Sequence, residues 1–284
     1  MPLMTDKYNA KEAKKNLHLL KKMYEKTLLD GNFQRWGGVD RGSGWSMKNG
    51  RSYITNFLMG ATFNSIINGT INLLEVARFA DFSGRIYFAG SSEIFGNTHK
   101  PANVQDPRSP LSPYAIAKDA SLNTVQVYRQ AYGLNCVTGI LFNHESPFRS
   151  STFVTRKIVD GAVACARDKS LKISLGNLRV ARDWGWAEEY VEAMQILLRA
   201  HELEDQVICT GRMQTLEYFV ERVFQTLGLN WCDHVEIQEH LLRPSEILES
   251  VGDPEPMKRA HGWKARTDVD GVIQRLVDFA TSRE

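Results

Sequence analysis

Apolar residues recur at steps of three or four from Asn9 to Leu29, at Ala13, Leu17, Leu20, Tyr24 and Leu28, with lysines between them. That spacing predicts an amphipathic basic helix. A packed terminal helix with a solvated lysine face is the simpler account of it, and a partner-binding or membrane-surface role is the alternative. The irregular, glycine-rich stretch from Gly31 to Gly50, with Trp36 and Trp45, reads as a linker or loop. A second helix is expected from Ile54 to Ala80, open to interruption near Gly60 or Gly69, because Leu73, Leu74 and Ala77 continue a helical stripe.

The period then changes. Arg85 to Gly90 is a short apolar run closing on small residues, as in a buried strand that ends in a loop. A loop punctuated by Pro101, Pro107, Pro110 and Pro113 leads to a helix over Tyr114 to Tyr132 and a strand over Cys136 to Phe142. Helices are expected at Phe153 to Ala166, Glu188 to Ala200 and Leu216 to Leu227, with strands at Leu171 to Ser174 and Gln206 to Cys209. From Val235 onward a short strand and proline-containing turns precede a final helix over Val269 to Phe279. The alternation predicts an α/β fold built on a parallel sheet.

Composition narrows this only slightly. With 43% hydrophobic and 24% charged residues over 284 positions the chain is ordinary globular protein. Its longest apolar runs, such as Val137 to Phe142, fall well short of the roughly 18 residues of a membrane helix. The start, with Lys7, Lys11, Lys14 and Lys15 among polar residues, lacks the pattern of a secretory signal, so a cytoplasmic location is expected. Cys136, Cys165, Cys209 and Cys232 are scattered without metal-site or redox spacing, which predicts free thiols and no metal. A net charge of +2 argues for no nucleic-acid partner.

The chemistry concentrates in two segments. Gly90-Ser91-Ser92-Glu93 ends the first predicted strand, and Tyr114-Ala115-Ile116-Ala117-Lys118 opens the following helix. A Tyr and a Lys four apart share a helix face, so the ammonium is expected to lower the phenol's pKa and make it a proton acceptor. A hydroxyl at the strand end can bond the same substrate oxygen, and Glu93 offers a carboxylate to take a proton from carbon beside a carbonyl. The Tyr-Lys pair alone is weak evidence, since it also occurs as an ordinary surface turn. Its place behind a Ser-Ser-Glu strand end is far more specific.

These segments, Tyr87 to Gly96 and Ser109 to Lys118, resemble the catalytic segments of the GDP-mannose 4,6-dehydratases. The resemblance continues through Gly139 to Pro147, Thr152 to Ile158, Leu175 to Asn177, Arg182 to Gly185, Arg243 to Glu246, Gly252 to Pro254 and Gly262-Trp263, spanning Asn68 to Phe279 in all. It implies a Rossmann-like parallel sheet with a smaller substrate-binding part, mainly 145–180 and 230–265, interleaved in a core over 51–284. Residues 1–50 stand apart as an atypical basic helix and loop. By the same resemblance Tyr114 is the base on the sugar 4-hydroxyl, with Lys118 its partner and a ligand of the nicotinamide ribose. Ser91, where the family usually has Thr, polarises the 4-oxygen, and Glu93 is the acid/base at carbons 5 and 6. His144 and Arg149 fall on the cofactor side, while Asn143, Lys157, Arg182, Arg243 and Glu246 hold the nucleotide diphosphate and sugar. Plainer readings stand beside these: Arg182 paired with Asp183, Trp184 and Trp263 as packing residues, and Glu246 as a solvated loop residue.

The departure from the family lies at the front. A dinucleotide site opens with a strand, a glycine turn and a helix that receives the pyrophosphate. Gly37, Gly38, Gly42 and Gly44 have the wrong spacing and follow no convincing strand. The expected sheet is therefore incomplete or rearranged, NADP is expected to bind weakly, and the open strand edge is expected to be covered by a homo-oligomer or another partner. The leading expectation is a lyase converting GDP-mannose to GDP-4-keto-6-deoxymannose. A non-catalytic nucleotide-sugar-binding homologue and an epimerase are the alternatives.

Overall fold

The computed structural model describes residues 60–241 and 246–282, without the side chain of His240. The expected helix over Asn9 to Leu29, the loop to Gly50, the start of the second helix and Arg243 lie outside these residues. The second helix is continuous where described. Asn64–Asn68 is wound as a π-helix that runs into α1, Gly69–Phe79, and Gly69 itself keeps helical angles (φ −59°, ψ −44°). The glycine thus interrupts nothing; the irregularity is one wider turn beside it.

After α1 come β1 (Ile86–Ser91), α2 (Pro113–Tyr132) and β2 (Cys136–Leu141). Local chemistry sets the limits of α2. The Ser112 hydroxyl caps its first turn by accepting from the Ala115 amide at 3.0 Å, Pro113 supplies a preset φ, and Gly133 ends it in the left-handed region at φ 67°. β3 (Asn143–Glu145), α3 (Val154–Arg167), β4 (Ile173–Leu175), β5 (Ala181–Trp186), α4 (Ala187–Arg199) and β6 (Gln206–Ile208) follow.

β1, β2 and β6 form a parallel sheet in the order β1-β2-β6, with Gly90 opposite Ile140 and Leu141 opposite Ile208. Every residue of β2 is buried, as a strand covered on both faces requires. Cys136 and Ile140 point to the side of α1 and α2, against Val125 and Leu122 respectively, whereas Val137 and Leu141 meet Tyr190, Ala193 and Leu197 of α4. This is the expected Rossmann-like layering, helices on both sides of a parallel sheet. Gly139 is required at the centre, because a Cβ there would stand 2.0 Å from the Tyr87 hydroxyl oxygen.

The C-terminal part has a core of its own. β7 (Met213–Thr215), α5 (Leu216–Thr226), β8 (Val235–Ile237), β9 (Glu249–Ser250), α6 (Glu255–His261) and α7 (Val269–Ser282) complete the order. Ile158 and Val159 of α3, Phe219 and Val223 of α5, and Val272 and Leu276 of α7 pack together with Trp184 and Trp186. Burying each such side chain favours folding by about 1.5–3 kcal/mol. Trp184 and Trp263 are both buried and serve packing. β5 is the hub here, pairing with β3 and β9 in parallel and β7 in antiparallel fashion. The sequence pattern predicted neither β5 nor its partners, since Arg182 to Gly185 reads there only as a motif. The strand expected at Leu171 to Ser174 begins instead at Ile173 and pairs with β8.

Candidate active site

The end of β1, the turn behind it and the first turn of α2 converge. Ser91 is the last residue of β1, and its hydroxyl accepts from the Glu93 amide at 3.3 Å, capping the short 3-10 turn Ser92–Phe95. The same Ser91 hydroxyl acts on the Tyr114 phenol and lowers its pKa. Ser112 donates its hydroxyl proton to Glu93 Oε2 at 3.2 Å. Tyr114, Ser91, Glu93 and Ser112 are thus linked, with Glu93 joined to Ser91 through its backbone amide and to Ser112 through its carboxylate.

Lys118 stands one turn along α2. Its ammonium donates to the Ala89 carbonyl oxygen of β1 at 2.9 Å and lies 5.6 Å from the Tyr114 ring centre and 5.1 Å from that of Phe88. Burial lowers its pKa, since there is little water to solvate the charge. The expectation that Lys118 depresses the Tyr114 pKa is not met. The ring is 40% exposed, yet protein crowded about it raises the phenol's pKa by desolvation, with the Ser91 hydrogen bond opposing and Glu93 adding to the rise. The cation that lowers the phenol's pKa is Arg149.

His144 and Arg149 come from β3 and the loop after it. His144 Nδ1 lies 2.8 Å from the Phe142 carbonyl oxygen, and its ring stacks on buried Tyr190 at 4.9 Å. A carbonyl can only accept, so Nδ1 carries the proton. Burial holds the imidazole pKa below its usual value, which leaves a neutral ring with Nε2 as an acceptor. Arg149 Nη1 donates to the His144 carbonyl at 3.2 Å, and its guanidinium covers the Phe153 ring at 4.0 Å. Its Nε is 3.2 Å from Glu145 Oε2, within ion-pair reach but without a hydrogen bond of its own. Glu145 is only 1% exposed; burial raises its pKa, while Arg149 and the Thr155 hydroxyl, donating at 2.8 Å, oppose the rise.

Lys157, Arg182 and Glu246 hydrogen-bond to groups outside this network. Asn143 opens β3 opposite Trp184. Lys157 donates to the Ser174 carbonyl at 2.5 Å, Arg182 to the carbonyls of Ala181 and Leu248, and Glu246 accepts from Asn177 at 3.2 Å. Asp183 is not reserved for Arg182. Fully buried, it accepts from the Thr210 amide at 2.9 Å, the Thr210 hydroxyl at 2.6 Å and the Gly211 amide at 2.8 Å. It ties β5 to the loop after β6. The sequence motifs contain Ser112 and Asp183 but do not assign these contacts; a Ser immediately before an N-terminal Pro was the available signal for the helix cap.

Comparison with known proteins bears on the family and the fold. The family profile described as GDP-mannose 4,6 dehydratase matches residues 59–276. The chain is 42% identical over 221 residues to GDP-mannose 4,6 dehydratase 2 of Arabidopsis thaliana, covering 76% of this chain and 59% of that protein. It is 36% identical over 229 residues to GDP-mannose 4,6 dehydratase of Homo sapiens, covering 74% and 62%. The chain spans about three fifths of the length of these relatives. Among solved structures, RMD from Pseudomonas aeruginosa complexed with NADPH matches with a TM-score of 0.70 at 20% identity, over 76% of this chain and 73% of that one. DesIV, a dTDP-glucose 4,6-dehydratase from Streptomyces venezuelae with NAD and TYD bound, matches with a TM-score of 0.72 at 18% identity, over 84% and 72%. At such identities these structures speak to the fold alone.

Proposed function

The chain belongs to the GDP-mannose 4,6-dehydratase family, and we propose that it acts as a lyase on GDP-mannose, yielding the 4-keto-6-deoxy sugar nucleotide. The observation that carries this reading is the convergence of Tyr114, Ser91 and Glu93 at the end of β1, where the Ser91 hydroxyl acts on the Tyr114 phenol and accepts from the Glu93 backbone amide.

In this proposal Tyr114 takes the proton from the sugar 4-hydroxyl while Ser91 hydrogen-bonds the same oxygen. Once C4 is a ketone, the C5 proton becomes acidic. Glu93 removes it, and the same carboxyl then protonates the departing 6-hydroxyl, which leaves as water. A nicotinamide cofactor would supply the reversible hydride storage that oxidation at C4 and reduction at C6 require. The described residues fit the nicotinamide end of such a group: Lys118 has a buried ammonium beside Tyr114, and His144 presents an acceptor nitrogen. NADP is the form proposed. Among the described residues there is no glycine-rich strand-to-helix turn of the kind that receives a pyrophosphate, and NADP is proposed to bind weakly.

Asn143, Lys157, Arg182, Arg243 and Glu246 are proposed to hold the nucleotide and sugar, with 145–180 and 230–265 as the substrate-binding part. Guanidinium groups suit a diphosphate because they meet its oxygens in bidentate fashion. A cytoplasmic location and a homo-oligomer complete the proposal. Among the described residues no helix is long and apolar enough to cross a membrane, and β1 pairs only with β2. Incubation with GDP-mannose and NADP, followed by mass spectrometry, is expected to show loss of one water. Nucleotide-sugar binding without turnover would replace the lyase with a non-catalytic binding protein.

A further inference from the structure

Ser112 has a single hydroxyl and uses it twice. Its oxygen accepts from the Ala115 amide at 3.0 Å, fixing the start of α2, and its proton goes to Glu93 Oε2 at 3.2 Å. The first contact belongs to the helix that carries Tyr114 and Lys118; the second belongs to the turn that follows Ser91. Glu93 is itself anchored at its backbone, where its amide donates to Ser91. Without Ser112, the carboxylate would be free to rotate about its side-chain torsions, and nothing else hydrogen-bonded to it appears among the described contacts.

We propose that Ser112 is the positioning residue for Glu93: by occupying Oε2 and locking the carboxylate to the first turn of α2, it leaves Oε1 directed to the substrate at a constant distance from Tyr114. The inference rests on the lyase reading above. The step it serves is the transfer of the C5 proton to a Glu93 oxygen. The C5–H bond breaks, an O–H bond forms, and the electron pair passes into the enolate whose oxygen Tyr114 and Ser91 hold. A base misplaced by about 1 Å loses rate on the order of a hundredfold.

Capping and positioning can be separated, because Asp at a helix N-cap is as good as Ser, and Gly costs little. Ser112→Asp keeps the cap but has no proton for Glu93 and sets a like charge beside it. Ser112→Gly removes the hydroxyl altogether. Ser112→Thr keeps both cap and donor. The readout is deuterium uptake at C5 when the full chain is incubated with GDP-4-keto-6-deoxymannose in deuterium oxide, a reaction that needs no hydride transfer. The expected result is a ten- to hundredfold slower uptake in the Asp and Gly variants, with sugar-nucleotide affinity within twofold of the parent, and a Thr variant within threefold of the parent rate. Asp or Gly variants that exchange at the parent rate, or a Thr variant as slow as they are, overturn the positioning role. A parent chain that neither exchanges C5 nor turns over GDP-mannose overturns the lyase reading itself.

Discussion

Arg129 and Asp205 are joined by two hydrogen bonds, Nη1 to Oδ1 at 2.8 Å and Nη2 to Oδ2 at 2.9 Å, between the last turn of α2 and the residue before β6. Asp205 also accepts from the Thr138 amide of β2 at 2.7 Å and from Gln126 at 2.9 Å. One carboxylate therefore locks α2 to two strands of the parallel sheet, at the end away from the network formed by Ser91 and Tyr114.

Replacing Asp205 with Asn is expected to destabilise the protein by about 3–5 kcal/mol, because it leaves the Arg129 charge partly buried without its counter-ion. Chemical denaturation at neutral pH measures this loss, and a change under 1 kcal/mol would show that the pair is not a structural lock.

Acid should expose the same contact. Burial works against the Asp205 charge, but its hydrogen bonds and Arg129 prevail and hold the pKa below the ordinary 3.8. A group with a depressed folded-state pKa contributes stability that is complete above its unfolded value and is lost as pH falls through the folded one. Asp183 has the opposite sign, since burial raises its pKa and its contribution therefore fades as pH rises. Between about pH 4 and 2 the parent protein should consequently lose more stability than the Asp205→Asn variant. Parallel denaturation curves over that range would contradict the assignment.

Asp183→Ala is expected to strip four donors of their acceptor, the Thr210 amide and hydroxyl and the Gly211 and Gly252 amides. Orphaned buried donors cost about 1–3 kcal/mol each, less where the loop can move into water. Calorimetry should register a fall in unfolding temperature, and faster hydrogen exchange should be confined to the Thr210, Gly211 and Gly252 amides and their neighbours.

Tyr114→Phe deletes only the phenolic oxygen that meets Ser91. Dehydratase activity should drop about a hundred- to ten-thousand-fold, the usual contribution of a placed acid or base, with sugar-nucleotide affinity preserved. A variant as active as the parent would remove Tyr114 from the chemistry.

Arg243→Ala should weaken GDP-mannose binding by about 1.5–3 kcal/mol, the scale of a charge-assisted contact to phosphate, and leave dinucleotide binding unchanged. Isothermal titration with each ligand separates the two, and equal GDP-mannose affinity would place Arg243 outside the substrate site.

The sequence by itself determined the layered order of the fold and the helix face that Tyr114 and Lys118 share. Both are local properties. Strand-like runs such as Cys136 to Leu141 and helical stripes such as Leu122 to Val125 carry their period in neighbouring residues, and Tyr114 and Lys118 share a face because a helix places residues four apart together. Short strands were not legible in this way. β5 owes its conformation to three partners from distant parts of the chain, and a segment of a few residues has no period long enough to announce it. Tertiary structure alone decided that Asp183 serves the loop after β6, that burial holds the Tyr114 pKa above its ordinary value, and that Ser112 bridges Glu93 to α2. Each depends on how far a charge or a donor stands from a group many positions away, and that distance exists only once the β1 turn, the β3 loop and the start of α2 have packed together.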